Sequence, residues 1–277
     1  MGWTGRMLAV AACALAASAA RVAAAPRSGT AECLSGDGRT ETLSAVEPRG
    51  ELALASGARA VLGSVRWPDD PEIAKAATER LLALRGRPLT VVARGEADRW
   101  GRLRIDALSE ADGPVALAGD LVGAGLAQVD AGEGDALCRP GLLAVEEAAR
   151  TAGLGLWHQP SLEASDGPGL RAAAGRFVVV QGTIRHVGER PSRTYLDFAA
   201  RGEDGLTVTV SKRTWRRMRE HGLSADRLRN ARVRVRGVVE IRRGPTLDIA
   251  VPETIEVLEA PTAIAGASTD GERALRR

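Results

Sequence analysis

Apolar and polar residues alternate through TETLSAV (40–46), GELALAS (50–56) and ARAVLGSV (58–65), with Pro48 and Gly57 as punctuation. A period of two predicts short strands. The period then changes. Ile73, Ala77, Leu81 and Leu84 recur at helical spacing in residues 71–87, and Gly86 is placed to end that helix. PLTVVAR (88–94) and GRLRIDAL (101–108) return to the strand pattern, so the DRWGR of residues 98–102 falls at the hairpin between them. DLVGAGLAQV (120–129) reads as a short helix and turn. Residues 140–157 read as a second amphipathic helix, ended by Gly153 and Gly155. Strands, a helix, a hairpin and two more helices predict a small barrel with helices packed on it.

Residues 158–170, HQPSLEASDGPGL, are polar and rich in Pro and Gly, and read as a linker spanning 159–173. A second strand-rich unit follows over 174–260, with a helical segment, TWRRMREHGL, in its middle. Five or so short strands around one helix suggest a second, smaller OB-like barrel. Residues 261–277 have no periodicity and read as a disordered tail.

The first residues change where the chain is expected to work. Arg6 precedes an Ala-rich apolar run, and Ala23 and Ala25 form a small-residue cleavage site before Pro26. That is the layout of a secretory signal peptide over 1–25, too short for a stable membrane span, so a periplasmic or secreted protein is expected. Removal of that segment leaves Cys33 and Cys138, a pair that reads as a disulfide in an oxidising compartment. The net charge of +3 is well short of a dedicated DNA binder's, and the positive charge is nearly all arginine.

Four motifs, in order and with compatible spacing, resemble the staphylococcal-nuclease-like (thermonuclease) family over about residues 40–157. They are the helix after the first strands, Asp98-Arg99-Trp100-Gly101-Arg102, the run Leu121-Val122 to Gly125-Leu126-Ala127 and Val129, and the ending Glu146, Ala149, Arg150, Gly155, Leu156, Trp157. The resemblance implies an OB-fold barrel with helices over 26–158. It also implies calcium-dependent phosphodiester hydrolysis, with carboxylates holding the cation and arginines meeting charge on phosphorus.

Carried over by position, the phosphate-gripping arginine falls on Arg102. The first metal carboxylate falls on Gly50, the second arginine on Val61 (or on Arg59 in a shifted register), a metal-binding acid on Arg66 and the general base on Asp69. A hydrogen atom and a guanidinium supply no oxygen ligands, so the metal site is expected to be lost, with no cofactor unless the family activity survives. Arg66 and Arg102 either bind an anion together or each pair with a nearby acid, and Trp67 is expected to plug the vacated cleft. Asp69, Asp70 and Glu72 cluster at a helix start, where the macrodipole accounts for them.

In the second unit Arg232, Arg234 and Arg236 alternate with Val233 and Val235 and share one strand face. Lys212, Arg213, Arg216, Arg217 and Arg219 cluster nearby in sequence. A basic barrel face suits single-stranded nucleic acid or another anionic polymer, although few aromatic residues beyond Phe177, Tyr195, Phe198 and Trp215 are available for stacking. The expectation is an exported, nuclease-like binding module for such a polymer or for an envelope protein. The rivals are an active nuclease using Asp69 and Asp70, and a structural envelope component.

Overall fold

The computed structural model describes residues 37–109, 114–131, 141–200 and 202–260. The expected signal peptide, the Cys33–Cys138 pair and the tail 261–277 lie outside the described residues. The architecture is mainly β with helices, comprising a closed five-stranded barrel and a second, curled sheet.

The first unit runs β1 (Arg39–Val46), β2 (Leu52–Leu54), β3 (Arg59–Leu62), β4 (Val65–Arg66), α1 (Pro71–Leu82), β5 (Pro88–Ala93), β6 (Arg102–Ser109), β7 (Val115–Ala116), α2 (Leu117–Gly123), β8 (Gln128–Val129) and α3 (Gly141–Thr151). Strand β1 pairs antiparallel with β2 and β5, β2 with β3, and β5 with β6; β3 then closes the ring by pairing parallel with β6. The inward positions are the apolar set of the alternation, among them Leu43, Leu52, Leu54, Leu62, Leu89, Val91 and Ile105. Helix α1 starts where the chemistry dictates. Asp70 Oδ1 accepts from the backbone N–H of Glu72 and of Ile73, Pro71 occupies the first turn, and Ala77 and Leu81 are buried.

After a single 3-10 turn at Gly155–His158, the second unit runs β9 (Leu162–Glu163), α4 (Gly167–Ala172), β10 (Phe177–Thr183), β11 (His186–Glu189), β12 (Arg193–Asp197), β13 (Thr207–Ser211), α5 (Lys212–Glu220), α6 (Ala225–Leu228), β14 (Arg232–Ile241), β15 (Pro245–Ile249) and β16 (Ile255–Glu259). The sheet order is β11-β12-β13-β15-β14-β10-β9, with β16 also on β14 and a parallel pairing between β13 and β15. The stretch expected as a linker is part of this fold. Leu162 and Glu163 pair with β10, Asp166 caps α4 through the N–H of Gly169, and Leu170 is fully buried in the second core. Pro and Gly there mark a helix start rather than a free connection.

The two units share a packed seam. Val251 joins the first core, and Ala149 and Trp157 pack with Phe177 and Val179 of β10. Among the described residues no helix is long and apolar enough to cross a membrane.

Candidate functional site: an arginine-lined cleft

Six of the residues singled out over 50–102, Gly50, Val61, Arg66, Trp67, Asp69 and Arg102, line one cleft of about 700 Å3. Its floor is set by a turn. Gly50 has φ +76°, its N–H donates to Glu47 O, and a Cβ built on it would lie 2.3 Å from Cδ2 and Cε3 of Trp67. The indole therefore rests flat on the glycine, and its Nε1 donates to Pro48 O at 3.1 Å. Where an acid side chain would project, an aromatic ring occupies the space.

Arg102 leaves the start of β6 on the stem expected of it, but it is not free. Its Nε and Nη2 donate to Asp98 Oδ2 at 2.9 and 2.8 Å, while Asp98 Oδ1 accepts from the N–H groups of Trp100 and Arg102. The Arg102 side chain, with those backbone donors, draws the Asp98 pKa from 3.8 down to about 2. The hairpin thus keeps its internal ion pair well into acid, since a depressed carboxylate loses it only as the pH falls through the folded value. Trp100 remains exposed at the tip, with the guanidinium groups of Arg99 and Arg102 at 4.0 and 4.8 Å from its ring centre.

Arg66 makes no ion pair among the described residues and reaches toward the second unit, 5.7 Å from the centre of the Phe177 ring. Val61, the expected place of the second family arginine, sits opposite Arg104 in the parallel β3–β6 register, and both line the cleft. Arg104, like Arg49 at the cleft edge, was not singled out from sequence; the β3–β6 pairing that brings it beside Val61 joins residues about forty apart. Arg59, the shifted-register alternative, forks onto Glu51 and donates to Trp100 O. Of the carboxylates, Asp70 is committed to capping α1, and Asp69 and Asp130 line the cleft, two acids among four guanidinium groups. No group of three or more His, Cys, Asp or Glu able to hold a metal occurs among the described residues. The set does not fit a hard cation.

The arginines of β14 occupy a different setting from the open basic face expected of them. Arg232 pairs with Glu163, Arg234 with Glu147 and Glu256, and Arg236 with Glu146 and Glu256; Arg236 Nη1 also donates to Val129 O. Arg236 and Glu146 are each only 1 % exposed. Burial alone would lower the Arg236 pKa, but Glu146 and Glu256 outweigh it and raise it above the ordinary value. Glu146 and Glu147 of α3 and Glu256 of β16 cover this face of β14, so Arg234 and Arg236 meet carboxylates rather than water. Of the stacking candidates, Phe177, Phe198 and Trp215 are buried and Tyr195 is half-buried.

The ending from Glu146 to Trp157 acts in this same seam. Glu146 Oε1 accepts from Val129 N–H, Arg150 pairs with Glu146 and lies over Trp157, and Gly125 and Gly155 press backbone to backbone. Those residues hold the cleft ribbon β4–β8 in place from behind, since Val129 pairs with Val65 and Gln128 with Arg66. No family model and no curated protein matches this chain.

Proposed function

We propose that the chain is an exported two-barrel protein that holds an anionic polymer, single-stranded nucleic acid first among the candidates, in the arginine cleft without cleaving it. The observation that carries this reading is the Trp67 indole seated on Gly50, with Arg66, Arg102 and Arg104 around the same cavity. A guanidinium fork suits phosphate, whereas calcium needs several negative oxygens at ~2.3–2.6 Å. An OB-type identity for both units is supported by their order. In each, a strand that precedes the helix pairs parallel with one that follows it: β3 with β6 across α1, and β13 with β15 across α5.

The test is equilibrium binding of a labelled single-stranded oligonucleotide. Arg66→Gln with Arg102→Gln should weaken binding about tenfold or more and make the log K against log salt slope shallower by roughly 0.7 for each phosphate no longer neutralised. Binding that is equal in the wild type and the double variant would overturn the cleft reading.

A further inference from the structure

A dense run of cations lies outside the cleft. Residues 212–229 hold seven Lys or Arg against two carboxylates, a net +5 in eighteen residues, so the other 259 together carry −2. Arginine-rich composition explains why these cations are arginines; it does not explain why five of them stand within the eight residues 212–219 with no acid among them. Most arginines of β14 and the hairpins meet a carboxylate. Arg213, Arg216, Arg217 and Arg219 of α5 form no ion pair among the described residues.

Arg217 and Arg219 in the last turn suit the helix dipole, but the rest of the local electrostatics runs against the helix. Arg213 sits in the first turn, which holds no acid, and repulsive neighbours at three- and four-residue spacing follow: Arg213–Arg216, Arg213–Arg217 and Arg216–Arg219. What keeps α5 folded is its other face. Thr214, Trp215 and Met218 are buried, Ser211 caps the first turn, and Trp215 Nε1 donates to Glu189. Arg227, whose Nη1 reaches Gly222 O just past the helix, adds a further cation with no carboxylate partner among the described residues. A helix locked in place with its repulsion uncompensated presents a preorganised anion surface.

We propose that the arginine face of α5 docks on the phosphate backbone of double-stranded nucleic acid. This site lies in the second unit and goes beyond the cleft reading. The residue types choose the partner. The helix has no exposed aromatic residue on which an unpaired base could stack, because Trp215 is 2 % exposed. It has no exposed large apolar residue to enter a bilayer. Side chains three and four apart stand ~5–6 Å from one another, and each fork can engage a phosphate bidentately, so a regular, dense row of phosphates is the matching anion.

The experiment is fluorescence anisotropy of the purified chain on a mixed-sequence duplex of about 20 base pairs, repeated across a salt series. Four Arg→Gln changes (R213Q, R216Q, R217Q, R219Q) should make the slope of log K against log salt shallower by up to about 3.6, roughly 0.9 per arginine. The matching Arg→Lys variant should keep the slope. Should the fourfold Gln variant fail to fold by circular dichroism, R213Q and R216Q singly should each reduce the slope by about 0.9. The cleft variant R66Q/R102Q should leave the α5-dependent part of the slope intact, which separates this site from the cleft. A duplex slope unchanged by the Gln variants would overturn the proposal. So would binding to phosphatidylglycerol vesicles or polyglutamate that depends on these arginines while duplex binding does not.

Discussion

Replacing Arg236 with alanine is expected to cost about 3–5 kcal/mol in folding stability, read from urea denaturation. The change takes from Glu146, fully buried, and from Glu256 at the seam the guanidinium they share, and it removes the donor to Val129 O. Glu146 keeps Arg150 and the Val129 N–H, so the loss reflects charge left without its main partner rather than a cavity alone. Arg236→Met combined with Glu146→Gln should be milder than the sum of the two single changes, because these residues share one network. Since Val129 belongs to the ribbon that carries Arg66, the single variant should also weaken oligonucleotide binding in the cleft. A cost below about 1 kcal/mol would show that the seam does not depend on this network.

Gly50→Asp is the second large effect, at about 3 kcal/mol or more of destabilisation. The φ of +76° and the 2.3 Å approach to the Trp67 ring act together, and the ring is tied to Pro48 O. Adding Trp67→Thr in the same chain should recover most of the steric part. What remains is the left-handed backbone cost, to which Asp is among the less sensitive residues. Differential scanning calorimetry of both variants separates the two contributions. Equal losses would mean that the indole is not what excludes a side chain at position 50.

Much of the first unit was readable from periodicity. The apolar alternation of residues 40–62 becomes barrel wall, and the helix spacing of residues 73–84 matches α1. Gly50, Arg66, Asp69 and Arg102, named at separate positions along the chain, line one cavity.

What sequence could not supply was partnership. Alternation of Arg232, Arg234 and Arg236 with valines looks the same whether the polar face meets water or a neighbouring unit. The answer depended on Glu146 and Glu147 of α3, about ninety residues away in the chain, covering that face. The Pro- and Gly-rich stretch near 165 misled for a related reason, since Leu170 and the Asp166 cap were masked by residues common to linkers and helix starts alike.

The resemblance supplied Glu146 and Arg150 as a motif, and the structure shows what they do. They bind the back of the cleft and the seam together.

Whether the cleft can hold a catalytic cation is decided most directly by incubating the purified chain with single- and double-stranded DNA in millimolar calcium and, in parallel, in excess chelator. With Trp67 over Gly50 and a guanidinium at position 66, both incubations should leave the strands intact. Cleavage that chelator abolishes, and that Asp69→Ala also removes, would contradict the arginine-cleft reading and restore an active nuclease.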